Sequence, residues 1–191
     1  KTSTHNIATN FYKCLEELKT QFGPSICPIV VPFDKYGTVE SYIILLEMKA
    51  YTYDNGVPTE VPMPASANRL KGLRAAMAEA VAETDEELMM RYFENEGEDF
   101  TEAEIGRGLQ HGIHKGYITP VVCCSGDTPA GIDMMLNTII YMLPSPDETD
   151  GELCEDGSKV QYASRDTLEA KVFKTVADPF VGKLSYIKIV N

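Results

Sequence analysis

The sequence predicts an α/β fold in which a compact α+β block interrupts a framework of apolar strands and amphipathic helices. Three observations carry this. Ile118 to Cys123 is a short apolar strand that runs through a Ser-Gly turn into an amphipathic helix. Asn6 to Phe22 followed by Cys27 to Phe33 is a second helix and strand of the same kind. Between them, residues 34–116 change grammar to turn-rich strands and acidic helices, as an inserted subdomain would.

Taken in order, Ile7, Phe11, Leu15, Leu18 and Phe22 keep to one helical face, with Ser3 or Thr4 as cap and Gly23-Pro24 as stop. Cys27 to Phe33 is apolar despite Pro28 and Pro32. Thr38 to Tyr53 is rich in Tyr, Ile, Val and Thr, and Asp54-Asn55-Gly56 is a strong hairpin signal before Val57 to Val61. A small antiparallel sheet is expected there. Pro62 to Pro64 ends it, and a helix opening at Ser66 or Asn68 carries Leu70, Leu73, Met77 and Val81 on one side. Thr84 to Glu87 and Thr101 to Glu104 both have capping-box spacing, so two further helices are expected, one to about Phe93 and one to Lys115-Gly116, across an acidic loop at 95–99.

Ile118 to Cys123 suits a buried parallel strand. Cys124-Ser125-Gly126-Asp127-Thr128 then brings a hydroxyl, a glycine and backbone N–H groups to the carboxyl end of that strand, where open α/β sheets place ligand contacts. Thr128 reads as an N-cap and Pro129 as the first helical residue. Ile132, Met135, Leu136, Ile139, Ile140 and Leu143 share one face, and Pro144-Ser145-Pro146 stops the helix. Residues 147–167 are acidic and lack periodicity, which predicts a linker, and 168–191 predict a hairpin turning through Asp178 to Gly182. The expected domains are therefore 1–33 with 117–146, an insertion at 34–116, the linker, and the hairpin.

Composition narrows the function classes. With 43% hydrophobic and 24% charged residues the chain can bury a core, and nothing approaches the roughly 18 apolar residues of a membrane span. A net charge of −12 gives no cationic surplus for a phosphate backbone, so direct nucleic-acid contact is not expected. The five cysteines form no CxxC pair, and reduced thiols in a cytoplasmic protein are the natural reading. His111 and His114 lack a third ligand, so no metal site is expected, and the helical methionines are most simply core. Glu79, Glu83, Glu86 and Glu87 gather acid where two helices meet. Favourable charge at a helix N-terminus accounts for them, as does a docking surface for a basic partner. Lys1 is no initiator methionine and Asn191 follows an apolar run directly, so a piece of a longer protein is expected.

Three ordered stretches carry a resemblance: PVVCCSGDTPAGID with LPSP, ETDEELMMRYFENEGEDFTEAEI at 83–105, and FKTVADPFVGKLSYIKIV at 173–190. Together they resemble bacterial elongation factor G, a translational GTPase, along nearly the whole chain. The resemblance implies a partial P-loop GTPase sheet with its inserted α+β subdomain, followed by the first, truncated hairpin of a β-barrel domain. It implies that Ser125 and Gly126, with Cys124 before them, close over the guanine of GTP or GDP, the Gly126 amide donating to the ring carbonyl. The family usually has alanine at the Gly126 position and often glycine at Cys124. It further implies a ribosomal partner, with the stalk protein meeting the insertion at Glu79, Glu83, Glu86 and Glu87. No G-x-x-x-x-G-K-[ST] loop and no switch motif occurs, so phosphate and magnesium find no ligands and no catalytic residue is assigned. The parent would hydrolyse GTP during translocation; this chain alone would not. A ribosomal-protection relative, or an acidic interaction module without nucleotide chemistry, remains the alternative. The bare edges of the hairpin are expected to favour self-association.

Overall fold

The structure, a computed structural model, describes residues 7–35, 38–64, 68–95, 100–149, 151–154, 156–162 and 168–190. Ser3, Thr4, Ser66 and the loop at 96–99 lie outside them. The chain divides into two compact units, Lys1–Leu143 and Pro144–Asn191.

The first unit is a mixed α/β layer. Helix α1 (Ile7–Phe22) leads to β1 (Ile26–Lys35), β2 (Thr38–Ile44), β3 (Lys49–Asp54) and β4 (Val57–Val61). Helices α2 (Asn68–Ala82), α3 (Glu86–Asn95) and α4 (Glu102–His114) follow, then β5 (Thr119–Val122) and α5 (Ile132–Met142). One five-stranded sheet runs β4-β3-β2-β1-β5, antiparallel except for the parallel pair of β1 and β5. The expected antiparallel strands are present, and they continue onto β1 within the same sheet. Strand β1 lies inside the sheet, between β2 and β5, and is almost wholly buried; Val31 has no exposed surface. Its neighbour β5 is parallel as expected, but it stands at the edge of the described sheet and is only half-buried. Their seam pairs Cys27 with Pro120 and Pro28 with Val121, so a proline occupies each strand there.

Phe11 and Leu15 of α1 are buried, whereas Phe22, predicted on the same face, is 64% exposed at the helix end. On the helical side, Leu70, Met77, Val81, Ile105 and Leu109 are buried with the apolar residues of β1 and β2 in one core. Helix α4 approaches α2 through a glycine: a Cβ built on Gly108 would lie 2.2 Å from Val81 Cγ1. Arg74 Nη1 donates to the Leu45 carbonyl at 3.3 Å, and the Arg69 guanidinium stacks 3.4 Å over the Tyr12 ring, tying α2 to the sheet and to α1.

The capping box on α4 forms as the spacing predicts. Glu104 N donates to Thr101 Oγ1 at 3.3 Å, and Glu104 Oε2 accepts from Thr101 N at 2.9 Å. Glu104 Oε1 accepts from Arg91 at 2.6 Å, and this guanidinium, with the Thr101 donors, holds the Glu104 carboxyl down at about 2. A carboxyl whose folded pKa is depressed contributes fully above its unfolded value and loses that contribution as pH falls through the folded one. Stability should therefore decline between about 4.3 and about 2 in the wild type and more shallowly in Glu104→Gln. Coincident acid-unfolding curves for the two proteins would refute this. Thr101→Ala should cost about 1 kcal/mol in denaturant titration.

The box predicted at Thr84 to Glu87 does not form. Asp85 caps α3 instead, its Oδ1 accepting from Glu87 N at 2.9 Å and Leu88 N at 3.1 Å. Thr84 Oγ1 donates backward to the Val81 carbonyl at 2.7 Å, which finishes α2 rather than starting α3.

In the second unit, residues 147–167 are not featureless. A 3-10 turn at Pro146–Glu148 precedes a two-stranded ribbon of β6 (Glu152–Leu153) and β7 (Lys159–Val160). Asp156 Oδ1 accepts from Ser158 N at 2.9 Å and forms the turn between them, a local bond that a search for periodicity does not register. Strands β8 (Ala170–Asp178) and β9 (Gly182–Ile189) form the predicted hairpin, and Asp178 Oδ1 accepts from Phe180 N and Val181 N at its turn. Glu152 joins ribbon to hairpin through Lys171, Lys188 and Tyr162.

Candidate functional site

The loop after β5 begins where Cys123 N donates to the Val30 carbonyl, the last rung of the parallel seam. It closes on itself: Ser125 N donates to Ala130 O at 2.8 Å, and Ala130 N to Thr128 O. Ser125 is buried, and its Oγ accepts from Thr128 Oγ1 at 2.9 Å and Thr128 N at 3.4 Å. That bond occupies the hydroxyl that was expected to cap α5. The helix begins later, at Ile132, behind Gly131 in the left-handed region (φ 75°) with no side-chain cap. Pro129 is thus a loop residue, and it packs against the β3–β4 turn, 2.8 Å from a Cβ built on Gly56.

Gly126 stands at the outer tip. Its φ lies outside the left-handed region, and a Cβ built on it meets nothing within 4 Å. Among the described residues its amide donates to no acceptor. Gly126 is exposed, and a backbone donor at the carboxyl end of a parallel strand lies where open α/β sheets place ligand contacts. Cys124 is half-buried, its Sγ 3.9 Å from Met135 Sδ, so its side chain turns toward α5. Burial pushes the neighbouring Cys123 thiol up to about 11, which leaves it inert. Among the described residues no cluster of three or more His, Cys, Asp and Glu could hold a metal ion.

Beside the loop lies a cavity of about 480 Å³ walled by Thr38, Tyr42, Tyr53, Asn55, Asp127 and Thr128. Sequence reasoning missed this wall. Tyr53 Oη donates to Asp133 Oδ1 at 2.6 Å, and the Tyr42 and Tyr53 rings meet edge to face at 5.5 Å. Burial pushes the Tyr42 hydroxyl up to about 12, and burial, with the Asp133 bond, raises that of Tyr53 too. The only signal was the clustering of tyrosines in β2 and β3.

Helix α5 turns a different stripe inward from the predicted one. Met134 and Thr138 are buried, Thr138 Oγ1 donating to Met134 O at 2.9 Å, while Leu136, Ile139, Ile140 and Leu143 are exposed. The helix is apolar on more than one side, so periodicity found a stripe without fixing which one packs. The four glutamates Glu79, Glu83, Glu86 and Glu87 are all exposed, at the end of α2 and the start of α3. No described helix is long and apolar enough to cross a membrane.

Fold and sequence likeness together define the class, a segment of a translation-factor type of protein. Its particular kinship is with elongation factor G-like proteins, to which the chain is related along nearly its whole length. It is 36% identical over 185 residues to an elongation factor G-like protein of Thermotoga maritima, covering 95% of this chain and 26% of that one. A crystal structure of a Thermus thermophilus protein superimposes with a TM-score of 0.70 at 32% identity, covering 94% of this chain and 25% of that one. The chain thus spans about a quarter of the length of these relatives. No family model matches it.

Proposed function

We propose that this chain supplies the guanine-contacting loop of an elongation factor G-type GTPase that works on the ribosome in the cytoplasm. The carrying observation is the Gly126 amide, which belongs to an exposed residue and donates to no acceptor among the described residues. A donor there pairs with the guanine carbonyl and would be left unpaired against the amino group of adenine. Ser125, fastened inward by Thr128, holds the loop without itself needing to reach the base. In this reading GTP or GDP, with magnesium at its phosphates, takes its remaining ligands from residues outside this chain.

Titration of the full-length protein with GDP and ADP tests the reading. GDP should bind at least about a hundredfold more tightly than ADP. Equal affinity for the two, or none for either, ends it.

The exposed Glu79, Glu83, Glu86 and Glu87 support a second role within the same proposal, docking of a basic segment of the ribosomal stalk protein. Reversing Glu79 and Glu83 to lysine should slow association several-fold at low salt, with little change in dissociation rate. An association rate that ignores both charge and salt would return these residues to an ordinary solvated helix junction, as in an acidic interaction module.

A further inference from the structure

The guanine reading needs the Gly126 amide held at one angle, yet the loop that carries it hangs from the edge of the described sheet. What fixes it comes from elsewhere in the chain. Tyr53, at the end of β3, reaches across 80 residues of sequence to Asp133 in the first turn of α5. The β3–β4 turn, with Asn55 (φ 49°) and Gly56 (φ 82°) both left-handed, abuts Pro129 in the middle of the loop. Tyr42 braces the Tyr53 ring edge to face. The loop is therefore gripped at Pro129 and at the helix that follows it, and both grips belong to the hairpin of β3 and β4.

We infer that Tyr53 is a positioning residue: its hydroxyl fixes the start of α5, and with the Asn55-Gly56 turn it sets how the Ser125–Ala130 loop presents its amide to guanine. The inference rests on the guanine reading for its ligand, but not for the grip. A hydroxyl donating to a carboxylate is among the stronger neutral–charged bonds, and this one is partly shielded from water. Removing it frees the loop without emptying the core, because the Phe ring fills the same space against Tyr42.

The test is hydrogen exchange on the full-length protein, comparing wild type, Tyr53→Phe and Asp133→Asn. Two amides serve as reporters: Ser125, which donates to Ala130 in the loop, and Leu45, which donates to Ile29 in the buried sheet. In Tyr53→Phe, Ser125 exchange should rise roughly tenfold while Leu45 moves much less. Asp133→Asn keeps an acceptor for the tyrosine but loses the charge that strengthens the bond, so its Ser125 exchange should rise by less than in Tyr53→Phe. GDP dissociation, measured in parallel, should quicken most in Tyr53→Phe. If Ser125 is unchanged, or accelerates only in step with Leu45, Tyr53 is merely structural and the inference falls. If Ser125 responds selectively but wild type binds no GDP, the guanine reading falls and the grip on the loop stands. If GDP binds and Ser125 responds selectively while dissociation is unchanged, the grip does not set the amide for guanine and the inference falls.

Discussion

Gly126→Pro is expected to weaken guanine nucleotide binding by roughly tenfold to a hundredfold, and Gly126→Ala to leave it within about twofold. Proline removes the one group in the loop that the proposal needs, the N–H. That amide donates to no acceptor among the described residues, so its loss deprives the fold of no hydrogen bond there. Proline also biases Ser125 toward extended backbone. Thermal unfolding of the variant therefore serves as the control, and a large drop in Tm would mean that the loop itself had been rebuilt. Alanine keeps the donor, finds open space for its methyl and meets no left-handed backbone. It should stabilise the chain by about 0.4–1 kcal/mol through the unfolded state. If both variants bind GDP like wild type, the amide makes no contact with the base.

Gly108→Ala is expected to destabilise the first unit by about 2 kcal/mol, although it places a better helix former inside α4. The gain in helix propensity is about 1 kcal/mol. Against it stands a methyl 2.2 Å from Val81 Cγ1, in a core where Val81 has no exposed surface and Leu109 is buried beside it. Overpacking of this kind costs about 1–3 kcal/mol, and a contact this short puts it at the upper end. The helices must separate or Val81 must leave its rotamer. A fall in Tm of about 4–8 °C should follow. Val81→Ala makes room for the new methyl, so the double variant should be more stable than the sum of the two single effects implies. Strict additivity would mean that the two side chains never compete for the same space.

Local chemistry was the legible part of this fold. The Thr101–Glu104 box needs only four consecutive residues, and the structure forms it. Asp54-Asn55-Gly56 dictates a tight turn whatever surrounds it, and β3 and β4 flank it. Where two local solutions competed, sequence could not choose between them. Thr84 and Asp85 are both good caps, and Asp85 prevails because Thr84 is already bonded to the end of α2. Thr128 is a good cap too, but Ser125 engages its hydroxyl first, and Gly131 starts the helix instead. The candidate loop could be found in the sequence because its glycine and hydroxyl follow an apolar strand directly. Its surroundings could not: the Tyr53–Asp133 bond and the Pro129 contact join segments with no common sequence pattern, and only the register of the sheet brings them together.

The short seam between β1 and β5 bears on how this sheet comes apart. Strand β5 is four residues long and pairs only with β1 among the described residues, and its register slips between Pro28 and Val30, so it is moored to its neighbour by few rungs. The antiparallel pair of β1 and β2 is longer, with six paired positions against four, and its register shifts only between Phe33 and Asp34, toward its far end. Under mild denaturant or tension, the weak line should part first, releasing β5 while the other four strands remain zipped together. A loop that follows so sparing a seam can breathe without melting its foundation.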